Sequence, residues 1–168
     1  PDDKSINIVV AAIEKAQSPL IAIAAGANRK LIRKQLRNFI QKTNIPFVTT
    51  QMGKGVEDES LEGYIGTTAL SSNDIVHQAT AAADLIILIG HDITEKPPAL
   101  ANSHQQIAHI NFYPAEINEV YKPQYEVIGD ISHALWAMTE RITVQPKWNF
   151  EIAKKVKAQL RADIEAKS

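Results

Sequence analysis

Cysteine is absent from the 168 residues, so disulfides, thiolate nucleophiles and cysteine-based zinc sites are excluded together. The absence fits a reducing compartment, and a cytoplasmic location is expected. No apolar run approaches the roughly 20 residues that a membrane span requires. Charge of one sign is lacking too: the formal net charge is −1, which supports neither a nucleic-acid nor an anionic-membrane surface. The five histidines form no i, i+4 pair and no H-E-x-x-H, so a metal site is not expected. No G-x-G-x-x-G is present, and Ser71-Ser72 lack a nucleophile-elbow context, which argues against a hydrolase triad. The start, Pro1-Asp2-Asp3-Lys4, is polar and does not read as a signal peptide. Beginning at Pro suggests a chain excised from something longer.

What is present is ordinary for a globular protein, with 45% hydrophobic and 22% charged residues. The pattern is organised around Leu85-Ile86-Ile87-Leu88-Ile89, an aliphatic run closed by Gly90. Such a run reads as a strand buried on both faces, as in a parallel sheet. Further short strands are expected at 20–25, 47–50, 107–112 and 125–128. Helices are expected between them: one capped by Ser5, one with Leu31, Ile32, Leu36, Phe39 and Ile40 as its apolar stripe, and one starting near Ser71. A short helix is read over 114–120, and another is capped by Asp130. Residues 56–70 show no clear period and read as loop. A last charged helix, 149–167, carries Ala153, Val156, Leu160 and Ile164 on one side. Strand and helix alternate as a doubly wound α/β sheet requires, with right-handed crossovers and helices on both faces. In such sheets ligands gather beyond the carboxyl ends of the strands.

Several stretches together resemble the central domain of thiamine-diphosphate-dependent enzymes, in particular the acetolactate synthase large subunit. They are Ser18-Pro19-Leu20-Ile21-Ala22, the segment from Ile45 to Gly55 with Thr50-Gln51-Met52-Gly53-Lys54-Gly55, and Ala83 to Asp92. His109-Ile110-Asn111 with Pro114-Ala115-Glu116-Ile117, and Gly129-Asp130, complete the set. The resemblance implies a Rossmann-like, mainly parallel sheet of about six strands. It implies a central domain over 1–145, with 146–168 as a charged linker or terminal helix. The full enzyme would condense two pyruvates to 2-acetolactate with loss of CO₂, in branched-chain amino acid biosynthesis. Thiamine diphosphate and magnesium would be held by flanking domains of the same chain, in a homodimer or homotetramer. No catalytic residue is expected here, and the chain alone should be inactive.

In biosynthetic members this domain also holds FAD. The residues that can be carried over as adenine-nucleotide contacts are Gly26, Thr50, Gln51, Met52, Gly66, Gly90 and Asp130. The departures weigh against flavin. Ala25-Gly26-Ala27 offers one glycine where the family often has a run. Asp92 replaces an Arg, which removes a phosphate-binding cation. Asn111 and Tyr113 replace acidic residues, the first of them expected to accept from a ribose hydroxyl.

Each of these features has a plainer reading beside the sharp one. Gly26 and Gly90 could approach a pyrophosphate or could simply end strands. Lys54 could meet a phosphate or carboxylate, or be a solvated loop lysine. His91 and Asp92 suit a polar site or ordinary loop chemistry. Asp130 is a helix cap, with or without a ligand at the helix start. Three functions therefore compete: a domain of an acetolactate-synthase-like enzyme, a self-standing module for an adenine nucleotide, FAD or coenzyme A, and a structural domain with an empty crevice.

Overall fold

A computed structural model describes residues 1–50, 53–58, 60–68, 76–91, 105–115 and 123–167. Six strands form one sheet: β1 (Pro19–Ile23), β2 (Phe47–Thr50), β3 (Tyr64–Thr68), β4 (Leu85–Ile89), β5 (Gln106–Asn111) and β6 (Tyr125–Ile128). Their order is β3-β2-β1-β4-β5-β6, and every neighbouring pair is parallel. This is the doubly wound order, in which the chain reverses its direction of travel between β1 and β4.

Alternation along the strands divides the core in two. Leu85, Ile87 and Ile89 point to one face with Ile21 and Ile23, and Ile86 and Leu88 point to the other with Leu20, Ala22 and Ala24. The first face is covered by α1 (Asp3–Lys15), α2 (Lys30–Thr43) and α4 (Ile131–Arg141), the second by α3 (Val76–Ala82) and α5 (Glu151–Lys167). A strand covered on both sides has no position for a polar side chain, which is why the β4 run contains none.

The structure departs from the sequence reading in four places. The expected loop at 56–70 contains β3. As an edge strand with Gly66 at its middle it has neither an apolar run nor an alternation, and tertiary pairing with β2 decides it. The first helix is capped by Asp2 rather than Ser5; the Ser5 amide and hydroxyl both donate to the Asp2 carboxylate, at 3.1 and 2.9 Å. Leu31 is 67% exposed, while Ile32, Leu36, Phe39 and Ile40 carry the buried stripe. In α5 only Ala153 and Val156 are buried, and Ile164 is 69% exposed. The helix starts expected near Ser71, and most of the short helix at 114–120, lie outside the described residues.

Between α4 and α5 the chain crosses the amino ends of the strands. Trp148 Nε1 donates to the Ile13 carbonyl at 3.1 Å, and the Asn149 amide donates to the Gln17 carbonyl at 2.7 Å. The same end is fixed by Asp84, just before β4. Its carboxylate accepts from the Gln17 and Ser18 amides at 2.8 and 2.9 Å, and so holds the entry of β1 against the entry of β4. Asp84→Ala removes a charged acceptor from two amides and should cost about 2 kcal/mol, read as a lower urea midpoint at unchanged m-value.

Candidate functional site

The rim at the carboxyl ends of the strands is where a doubly wound sheet receives ligands, and five of the seven sequence-derived site residues are described there or near it. Gly26 lies in a single 3-10 turn, Ala25–Ala27, directly after β1. Gly90 follows β4 with a φ of +76°, a conformation that glycine adopts without strain. The two meet backbone to backbone: the Gly26 amide donates to the Gly90 carbonyl at 2.8 Å. A Cβ on Gly26 would lie 2.6 Å from that carbonyl oxygen, and one on Gly90 would lie 2.4 Å from the Ala27 nitrogen. Glycine is required at both positions because the chain approaches itself.

Three further glycine amides among the described residues are engaged within the protein. Gly90 donates to the Ile110 carbonyl at 2.9 Å and Gly129 to the Asn111 carbonyl at 3.0 Å. Gly53 donates to the Thr50 carbonyl and to its hydroxyl, at 3.0 and 3.1 Å. A phosphate cradle of the glycine-rich kind needs free amides pointing outward. Here the amides of Gly26, Gly90 and Gly129 tie one strand end to the next, and that of Gly53 closes the turn after β2.

Thr50 closes β2 and is buried. Gly66 lies within β3, paired with Val48, where an added Cβ would be 2.8 Å from a Val76 methyl. It is therefore covered by α3 and set back from the rim. Gln51 and Met52 lie outside the described residues, as does Asp92. Asp130 follows β6, three strands from β1 and roughly 15 Å across the sheet. Its carboxylate accepts from the Ser132 and His133 amides at 2.9 and 3.4 Å and from the Ser132 hydroxyl at 2.7 Å. The Ser132 hydroxyl is the chief reason its carboxyl titrates below the ordinary carboxylate range. The cap is therefore complete above the unfolded pKa, about 3.9, and is lost as pH falls through the lower folded value. Gly26 and Gly90 thus meet, Thr50 ends the strand beside β1, and Gly66 and Asp130 lie apart from them. Lys54 is exposed on the turn after Gly53.

Asn111 has a role that its residue type alone does not reveal. Its Nδ2 donates to the His91 carbonyl at 2.6 Å, and its Oδ1 accepts from the Phe112 amide at 2.9 Å. The side chain is 8% exposed, so both ends of the amide are used inside the rim. Beyond it the Arg29 guanidinium stacks 4.8 Å from the Phe112 ring, which bridges the β1 and β5 ends across β4. Only the pairing of Asn111 with a neighbouring strand end could have pointed to this clamp, and that is not visible in one sequence.

A family model described as the central domain of thiamine pyrophosphate enzymes matches residues 6–138. The chain belongs to this family. Among curated relatives, an acetolactate synthase of Bacillus subtilis is 30% identical over 132 residues, covering 77% of this chain and 23% of that protein. The acetolactate synthase large subunit of Parasynechococcus marenigrum is 27% identical over 143 residues, 83% of this chain and 23% of that protein. Oxalyl-CoA decarboxylase of Escherichia coli is 28% identical over 144 residues, 82% of this chain and 24% of that protein. The chain thus spans about a quarter of these relatives' length. A solved structure from Mycobacterium smegmatis, described as thiamin diphosphate-dependent, superposes with a TM-score of 0.73 at 19% identity, covering 89% of this chain and 30% of that one. That likeness shows the fold: part of that structure shares this doubly wound sheet.

Alanine at Gly26 or Gly90 should lower stability by about 3 kcal/mol, through backbone overlap and, at Gly90, the left-handed φ. Gly55 supplies the control. Its φ is +88° but nothing lies within 4 Å of an added Cβ, so Gly55→Ala should cost only about 1 kcal/mol. Thermal or urea unfolding of the three variants separates steric closure from backbone preference.

Proposed function

We propose that this chain is the central domain of an acetolactate-synthase-like enzyme that condenses two pyruvates to 2-acetolactate and releases CO₂. The observation that carries the reading is the family match over the doubly wound sheet, together with the two acetolactate synthases among the relatives. The domain contributes no catalytic residue. Thiamine diphosphate, which supplies the carbanion chemistry when bound, and magnesium belong to flanking domains of the same polypeptide. Residues 1–145 form the scaffold between those domains, and 146–168 are a charged linker or terminal helix that packs on the sheet through Ala153 and Val156. A homodimer or homotetramer in the cytoplasm completes the reading, within branched-chain amino acid biosynthesis.

The bonding of the described rim supports a flavin-free reading. A dinucleotide needs amides for its pyrophosphate and an acceptor for its ribose, and here the amides of Gly26, Gly90 and Gly129 and both ends of the Asn111 amide are bonded within the protein. The proposed enzyme works without flavin. The reading of Gly26, Thr50, Gln51, Met52, Gly66, Gly90 and Asp130 as contacts for ADP or coenzyme A is the alternative. The oxalyl-CoA decarboxylase relative favours the coenzyme A form of it. In that case the side chains of Thr50, Gln51, Met52 and Asp130 would hold the ligand, and the glycines would serve only by letting it approach.

The test is pyruvate turnover by the full-length polypeptide with thiamine diphosphate and magnesium. Acetolactate should accumulate without added FAD, and the 168-residue chain alone should form none. Turnover of oxalyl-CoA but not pyruvate would overturn the acetolactate assignment. A requirement for FAD would overturn the flavin-free one.

A further inference from the structure

A second polar feature lies outside the rim of glycines. Helix α2 carries Lys30, Arg33, Lys34 and Arg37 at positions i, i+3, i+4 and i+7, which puts them on one face over about 10 Å of helix. Arg29 precedes them, and the helix contains no acidic residue. This arrangement is unfavourable by itself. Like charges three and four residues apart repel. Cations in the first turn oppose the helix dipole, and Arg29 at the N-cap makes no side-chain capping bond.

The four cations form one wall of a cleft of about 520 Å³, whose other wall is Gly55, Val56, Glu57 and Asp58. Each carboxylate on that wall is engaged through one oxygen, and the other oxygen of Glu57 is buried without a hydrogen-bond partner among the described residues. Glu57, 4% exposed, accepts from Arg37 Nε and Nη2 at 3.1 and 2.6 Å and from the Asp58 amide at 2.8 Å. Asp58 accepts from the Ser60 amide and hydroxyl at 2.8 and 2.7 Å. A buried carboxylate thus fixes the Arg37 guanidinium at the edge of the cleft. Lys30, Arg33 and Lys34 form no ion pair among the described residues.

We propose that this cleft between α2 and the 53–58 turn binds a small polyanion carrying two or more phosphate groups. The stripe is longer than a single phosphate can bridge, and its uncompensated charge is concentrated where a linear oligophosphate would lie. The ligand would be held by Lys30, Arg33 and Lys34, with Arg37 pre-set by Glu57. The cleft starts beside the carboxyl ends of β1 and β2, from which α2 and the 53–58 turn leave, and the inference does not rest on the proposed reaction.

The experiment is calorimetric titration of the intact protein at low ionic strength with inorganic triphosphate, and separately with ADP. A variant carrying Lys30→Ala, Arg33→Ala and Lys34→Ala is compared with a charge-matched control carrying Lys4→Ala, Lys155→Ala and Lys167→Ala. Arg37 is left in place because it is bonded to Glu57. All six positions are exposed and helical, so alanine should preserve the fold, and the helical circular dichroism of each variant checks this. Triphosphate should bind saturably at one site, weaken at least about tenfold in the α2 variant, and bind the control nearly as it binds the parent. ADP weakened in parallel would extend the site to a nucleotide's phosphate tail, and ADP left without binding would limit it to inorganic oligophosphates. The proposal is overturned if triphosphate does not saturate, if both variants lose affinity equally, or if binding survives in the α2 variant.

Discussion

The carboxyl ends of β1 and β4 touch through two glycines, and the layout of the rim follows from that contact. These are the central strands of the sheet, and the chain turns outward in opposite directions from them. In many doubly wound sheets the divergence leaves a gap into which a ligand's phosphates fit. Here the Gly26 amide reaches the Gly90 carbonyl and closes the gap with backbone. At the opposite end of the same two strands the Asp84 carboxylate binds the amides that open β1. The central pair is therefore fixed at both ends, and a shift of register would break both attachments.

From Gly90 the ties continue outward. Gly90 bonds to β5 through Ile110, Asn111 bonds back to His91, and Gly129 bonds to Asn111. The result is a rim suited to rigidity. It is poorly suited to receive a dinucleotide through its backbone. Charge for an anion sits elsewhere, on the outer face of α2, where side chains rather than amides present it.

Much of the architecture was legible because burial on both faces leaves a strong signature. Leu85–Ile89, Leu20–Ala24 and Phe47–Thr50 could be little other than parallel strands, and the glycines and prolines between them set the punctuation. Edge strand β3 was hidden because Gly66 sits where α3 and α5 press on the sheet, and small size there looks like a turn. Ser5 was read as a cap when the acceptor is Asp2; both are good capping residues, and the choice depends on where the helix begins. The rim was legible only as a location. Gly26, Gly90 and Asn111 are residue types that serve either a ligand or a neighbouring strand, and their hydrogen-bond partners are far away in sequence. The Arg37–Glu57 pair was invisible for the same reason, although the one-sided charge of α2 was plain.

Hydrogen exchange of the Gly26 amide tests the closed β1–β4 junction most directly. In a loop open to solvent or poised for a ligand, this amide would exchange through local fluctuations. In the closed junction it should exchange only as fast as the backbone amides of β1 and β4, through global unfolding, and added ADP should leave its rate equal to theirs. Exchange of Gly26 near the rate of an exposed loop, or protection that appears only when a nucleotide is added, would contradict the account.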